Sequence, residues 1–310
     1  MFTNFTIFIL ALAVLIIAAR FFTNAAESIG NWLNLPAFVV GIFIVGIGTS
    51  LPELVSGILS VQNGVSEIVT GNIIGANISN LLLVTGFAIA LSGKPISLGS
   101  TYIYIDLNFL VGAFFTYYLI AFDGEIHFGE AFIGLFIFIV YSVYLIKSGS
   151  INKSDVDGKK KPAFPVKAFL ILLASAVGIY FGADYTVSSI QAIALGLNVP
   201  KSIVALTVLS VGTTLPELAV NITAIKAGKG EMAIGNILGS CVFNTLIIPP
   251  IASLFGNIAV PKLLLSFSLP VMIGAGVLFY LLAQDKRMSV WEGLLFVLIY
   301  VLFILKIAGV

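Results

Sequence analysis

The sequence predicts an all-α polytopic membrane protein. Ten transmembrane helices form two inverted five-helix repeats, with helices 2, 3, 7 and 8 broken around a central ion site. Three observations lead there. Of 310 residues, 59% are hydrophobic and 9% charged, with mean hydropathy +1.14, far from the roughly 25% charge of a soluble domain. Residues 18–83 align with 182–247 at a constant shift of 164 without a gap. Each half holds five apolar spans, an odd number, so the second half enters the membrane from the opposite side.

The spans are read from runs of about 20 apolar residues. The first, 4–28, has neither a basic n-region nor a small-residue cleavage site, so it reads as a span and not as a cleaved signal. Spans two and three, 36–61 and 68–91, carry the first copy of the repeat. Spans four and five, 101–122 and 128–147, complete the first unit, residues 1–147. A polar stretch with Lys159, Lys160 and Lys161 makes 148–165 the linker. The second unit, 166–310, holds spans 166–192, 199–225, 232–255, 263–283 and 289–308.

Several functional classes fall away on composition. Fifteen Lys and Arg against 14 Asp and Glu leave no basic field for nucleic acid. A single cysteine, Cys241, excludes an intrachain disulfide and a cysteine zinc site. No cofactor and no obligate protein partner is indicated. The lipid bilayer is the one macroscopic partner. With the N-terminus outside, 12 basic residues fall inside and only Lys201, Lys262 and Lys306 outside. The positive-inside rule therefore puts both termini outside a cell membrane. The loop with Asp123, Glu125 and Glu130 then lies outside.

The repeat carries the chemistry. Gly48-Thr49-Ser50-Leu51-Pro52-Glu53-Leu54 matches Gly212-Thr213-Thr214-Leu215-Pro216-Glu217-Leu218. Gly71-Asn72-Ile73-Ile74-Gly75 matches Gly235-Asn236-Ile237-Leu238-Gly239, and Asn80 matches Asn244. Shared apolar residues would follow from composition; shared Pro, Glu, Asn and Gly at fixed spacing do not. A carboxylate in the bilayer core is costly and normally faces a cavity, so Glu53 and Glu217 are the leading ligands. Pro52 and Pro216 remove backbone donors and should break spans two and seven. The carbonyls of Thr49 and Thr213 are then freed as oxygen ligands. Gly71, Gly75, Gly235 and Gly239 should punctuate spans three and eight in the same way. Close helix packing is a second role for them. Asn80 and Asn244 offer amide oxygens, with interhelical hydrogen bonding as the rival account.

The result is an all-oxygen site with two carboxylates, suited to Ca²⁺, Na⁺ or Mg²⁺. Two carboxylates neutralise one divalent ion, or they hold sodium ions or two protons. Inverted repeats around a midplane site belong to secondary transporters. A channel would usually surround a pore with equivalent elements. An intramembrane enzyme would need a substrate pocket beyond the Glu pair. Asp106 and Asp184 read as span-edge acids that snorkel or pair with Lys or Arg, with a proton-pathway role as the lesser alternative. Glu67 and Glu231 read as acids at helix N-termini, and His127 as a solvated loop residue.

The paired motifs resemble the alpha repeats of the calcium/cation antiporter superfamily, closest to prokaryotic sodium/calcium exchangers. The resemblance implies Ca²⁺ export driven by Na⁺ entry. By position it implies calcium ligands at the Glu53 and Glu217 carboxylates and the Thr49 and Thr213 carbonyls. Sodium contacts are implied at Ser50, Thr214, Ser240 and backbone oxygens near Gly46 and Ser210. It also implies that spans one and six slide as a gating pair. This chain departs from some relatives at Asn244, where they carry an acid, and at Ala76, where they carry a serine. Those departures leave an H⁺/Ca²⁺ exchanger, or another cation/proton antiporter, as the alternative.

Overall fold

The structure is a computed structural model that describes residues 2–98, 103–151, 163–194 and 210–308. Most of the linker at 148–165 and the start of span seven, including Lys201, lie outside the described residues. In the first half the helical runs are α1 (Phe2–Trp32), α2 (Ala37–Gln62), α3 (Glu67–Ser92), α4 (Ile103–Ile120) and α5 (Phe128–Ile151). In the second they are α6 (Val166–Ala194), α7 (Ser210–Thr213 and Leu215–Lys226), α8 (Gly230–Phe255), α9 (Leu264–Leu282) and α10 (Val290–Ala308). Seven of these runs are long and apolar enough to cross a bilayer, and two shorter apolar helices cover Ile105–Ile120 and Val166–Gly182. Helices suit this chain because hydrocarbon offers no partner for backbone polar groups, which a helix satisfies internally.

Turns end the helices where local chemistry demands it. Pro36 is extended at φ −59°, ψ 147° and opens α2. Gly93 closes α3 in the left-handed region at φ 63°, where a residue without Cβ carries no penalty. Glu67 and Glu231 fall in the first turns of α3 and α8, as a helix dipole favours.

The centre of the bundle is α3 and α8. In their apolar windows 83% and 89% of residues are buried, against 22% in α5 and α10. The peripheral helices instead expose large apolar side chains such as Phe136, Val140, Leu298 and Leu302, the surface that lipid covers. Two apolar clusters divide the interior. The larger runs through α3, α4, α5, α8, α9 and α10. The smaller joins Leu15, Ala19 and Phe22 of α1 to Ile179 of α6 and Val220 of α7.

Three expectations need correction. The chain is not purely α-helical: Ile96–Ser97 pairs with Arg287–Met288, and Glu125–Ile126 with Ile258–Ala259, as two-residue antiparallel ladders between loops. Glycines do not break α3 and α8. Helix runs unbroken through Gly71–Gly75 and Gly235–Gly239. The irregularities come later, as a π-helical turn at Ser79–Val84 and a break at Ile247 before Pro249 and Pro250. A glycine keeps its backbone N–H, so packing can hold it in a helix; proline cannot supply the donor. Finally, Asp106 does not snorkel. It is fully buried, and no Lys or Arg pairs with it among the described residues.

Candidate ion site

α2 and α7 are interrupted at equivalent residues. Ser50 lies at φ −89°, ψ 4° and Thr214 at φ −86°, ψ 0°, in the bridge region between helix and strand. A new helical stretch begins at Leu51 and at Leu215. Each carries its proline in the first turn, where a missing donor is tolerated, and its glutamate beside it. The positive end of each stretch therefore lies at its carboxylate. The interruption is one residue long: Ser50 N–H still donates to the Gly46 carbonyl at 3.1 Å, and Leu218 N–H to the Thr214 carbonyl at 3.0 Å.

Glu53 and Glu217 are both buried and close enough to interact electrostatically. The surroundings of the two carboxylates differ. Glu217 Oε1 lies 3.3 Å from Ser50 Oγ and 3.4 Å from Ser240 Oγ, both donors. Neither oxygen of Glu53 has a hydrogen-bond partner among the described residues. The sequence explains the asymmetry. Ser240 corresponds to Ala76, which has no hydroxyl, and Ser50 corresponds to Thr214, whose hydroxyl donates within its own turn to the Val211 carbonyl at 3.1 Å.

Around the carboxylates, contacts cross from one half to the other in matched pairs. Thr49 Oγ1 donates to Asn236 Oδ1 at 3.2 Å, and Thr213 Oγ1 donates to Asn72 Oδ1 at 3.2 Å. The shift of 164 relates both partners. Gly46 lends its carbonyl to Ser240 Oγ at 3.3 Å. Ser210 opens the described part of α7, and its side chain is not among those described.

Asn80 and Asn244 are buried, yet no side-chain nitrogen or oxygen of either has a hydrogen-bond partner among the described residues. No hydrogen bond ties them to the oxygens around Glu217 or joins them between helices among the described residues. The amides that do join it are Asn72 and Asn236, together with Asn221, which accepts from Asn236 Nδ2 at 3.1 Å. Asn72 and Asn236 stand inside the repeated Gly-Asn motif, so their signal was present in the sequence. Asn221 was legible only as a polar residue one turn beyond Glu217, on the same helix face.

Close approach of α2 and α8 makes the cluster. A Cβ on Gly235 would lie 2.2 Å from the Phe38 carbonyl oxygen, one on Gly239 2.7 Å from Ile42 Cα, and one on Gly41 2.3 Å from the Met232 carbonyl oxygen. These are backbone-to-backbone contacts that only glycine permits. A cavity of about 370 Å³ reaches from Asn63 and Val65, at the α2–α3 turn, to Pro52, Gly212 and Thr213, and exposed Asp184 lines it. Asp184 is exposed at this cavity, as a snorkelling acid would be, and no Lys or Arg pairs with it among the described residues.

The described ion pairs are His127 with Glu125 at 3.8 Å and Lys229 with Glu27 at 2.6 Å, both away from this site. Two buried carboxylates without a basic counterpart among the described residues call for cations or protons. Among the described residues no three His, Cys, Asp or Glu side chains cluster. Hydroxyl, amide and carbonyl oxygens are the other polar groups gathered here, a set of the kind that suits hard cations.

The profile of the family described as sodium/calcium exchanger protein matches residues 3–147 and 167–308. The chain belongs to the sodium/calcium exchanger family. This is a family of membrane antiporters, not enzymes. The exchanger-family chain is 30% identical over 97% of its length, and 97% of the relative's, to the sodium/calcium exchanger MaX1 of Methanosarcina acetivorans. It is 29% identical, over 96% of its length and 95% of the relative's, to an uncharacterized membrane protein of Methanocaldococcus jannaschii. Among solved structures, the sodium-calcium exchanger NCX_Mj soaked with Na⁺ and Sr²⁺ superposes with a TM-score of 0.83 at 27% identity, covering 97% of both chains.

Proposed function

We propose that the chain exchanges Ca²⁺ for Na⁺ across a cell membrane by alternating access, through a midplane site built on Glu53 and Glu217. The observation that carries this reading is the pair of buried carboxylates with no basic partner among the described residues, with neutral oxygens gathered at Glu217. Such a site crosses the bilayer only when its charge is compensated, by one Ca²⁺ or by monovalent ions, and that requirement couples the two fluxes. Ser50, Thr214, Ser240 and the backbone oxygens of Gly46 and Ser210 are the proposed sodium contacts. The carbonyls of Thr49 and Thr213 join the calcium ligands, and Asn80 and Asn244 supply amide oxygens nearby. The name of the relative MaX1 and the Na⁺ and Sr²⁺ soaks of NCX_Mj support the pairing of a monovalent with a divalent cation.

The proposed architecture is two inverted repeats, 1–147 and 166–310, joined by a cytoplasmic linker at 148–165. Loop pairing supports the topology. The Ile96–Ser97 and Arg287–Met288 ladder and the Lys229–Glu27 pair gather near Lys94 and Lys286, the basic end assigned to the cytoplasm. The other ladder joins acidic Glu125 to the loop at Ala259, the end assigned to the outside along with both termini. The cavity beside Asn63 and Asp184 then admits ions from outside. The extensive packing of α1 on α6 supports their motion as a pair.

Proton coupling is the second reading. It is favoured by Glu53, whose oxygens lack the serine donors that Glu217 has and so depend on a bound ion or a proton. ⁴⁵Ca²⁺ uptake into proteoliposomes separates the two. A Na⁺ gradient at clamped pH should drive uptake. Uptake under a proton gradient without Na⁺, together with none under Na⁺ alone, would replace sodium with the proton.

A further inference from the structure

One buried acid takes no part in the ion site. Asp106 lies in the first turn of α4, fully buried, and neither carboxyl oxygen has a hydrogen-bond partner among the described residues. The group that faces it is the Tyr141 phenol on α5, equally buried and with an unpartnered oxygen. Helix packing holds the two in place. Phe109, one turn beyond Asp106, packs on the ring of Tyr141 with centroids 4.8 Å apart, and on Tyr144 at 6.1 Å. None of the oxygens gathered at Glu217 comes from α4 or α5.

A carboxylate buried in this way, with no hydrogen-bond partner or base among the described residues, needs a cation or a proton. No Lys or Arg pairs with Asp106 among the described residues. One carboxyl and one phenol are too few oxygens for a metal ion, which takes six or so when it is hard, and no acid, His or Cys cluster lies here among the described residues. A proton needs a single acceptor. The other helices packed on α4 are α8 and α9. Their titratable groups are Glu231, Cys241 and Tyr280, and none of these is a partner of the Asp106 carboxyl.

We propose that Asp106 and Tyr141 form a proton-binding site, separate from the ion site, in which the Asp106 carboxyl carries a proton and hydrogen-bonds with Tyr141 Oη. The site binds its proton whichever ion drives exchange. It joins α4 to α5 through a neutral acid where an ion pair would need a desolvated base.

Infrared spectroscopy tests this directly, because a protonated carboxyl has a C=O stretch that a carboxylate lacks and that shifts in D₂O. The background is Glu53→Gln with Glu217→Gln, which removes the ion-site carboxyls. In that background at neutral pH, one such band is expected, and Asp106→Asn should abolish it. Tyr141→Phe should keep the band and move it to higher frequency as the hydrogen bond is lost. A spectrum without the band, or a band that survives Asp106→Asn, overturns the proposal. If Asp106→Asn fails to fold, Tyr141→Phe decides: a band that does not move overturns it. In the otherwise native chain, Asp106→Asn should leave calcium uptake within about twofold.

Discussion

Gly239→Ala tests whether the close approach of α2 and α8 builds the ion site. The new Cβ would stand 2.7 Å from both Ile42 Cα and the Ile42 carbonyl oxygen. Ordinary carbon contacts begin near 3.5 Å, so the helices must part by about 0.8 Å at this level. The next residue, Ser240, reaches the Gly46 carbonyl at 3.3 Å, and Thr49 reaches Asn236 at 3.2 Å. A separation of that size stretches both to about 4 Å, beyond hydrogen-bond range. Neither element can yield cheaply, because the obstacle is backbone and not a flexible side chain. Overpacking of this kind costs about 1–3 kcal/mol, which thermal unfolding in detergent should report as a lower Tm. Calcium uptake in proteoliposomes should fall at least tenfold, since ligand positions move by a large fraction of a bond length. Gly274→Ala on α9 is the control: nothing lies within 4 Å of its Cβ, and alanine favours helix by about 1 kcal/mol. That variant should transport normally with an unchanged or higher Tm. Normal uptake by Gly239→Ala would refute the view that this helix contact positions the ligands.

Three further outcomes are expected. Glu53→Gln and Glu217→Gln should each abolish calcium uptake while the protein remains folded by size-exclusion chromatography, because a neutral amide keeps the shape and removes one of two compensating charges; normal uptake by either would sink the two-carboxylate site. Ala76→Ser should raise apparent Na⁺ affinity severalfold in uptake assays and leave Ca²⁺ affinity nearly unchanged, since it gives Glu53 the hydroxyl that Ser240 gives Glu217; an unchanged Na⁺ dependence counts against that equivalence. In a Cys241→Ser background, cysteines at Asp123 and Lys160 should react with an impermeant reagent from opposite faces, the first from outside, and labelling from one face would contradict the topology.

The sequence alone determined the membrane class, the internal repeat and the two glutamates. Each of those signals is local or periodic. An apolar run needs no partner to be recognised, and Pro-Glu at a fixed shift of 164 is visible without coordinates. The motif also predicted helix interruptions near Thr49–Pro52 and Thr213–Pro216, because proline removes a donor wherever the chain goes. Tertiary structure decided what the repeated residues touch. Threonine–asparagine contacts across the two halves, between Thr49 and Asn236 and between Thr213 and Asn72, depend on how α2 packs on α8 and α7 on α3, which spacing does not encode. The same packing turned Gly235 and Gly239 of α8 from expected breaks into contact surfaces, and left Asn80 and Asn244 without hydrogen-bond partners among the described residues. It also buried Asp106 against α5, although its place near a helix end suggested the membrane surface. Hydropathy measures distance along a span; burial depends on which neighbouring helix covers that face, and only the folded bundle contains that information.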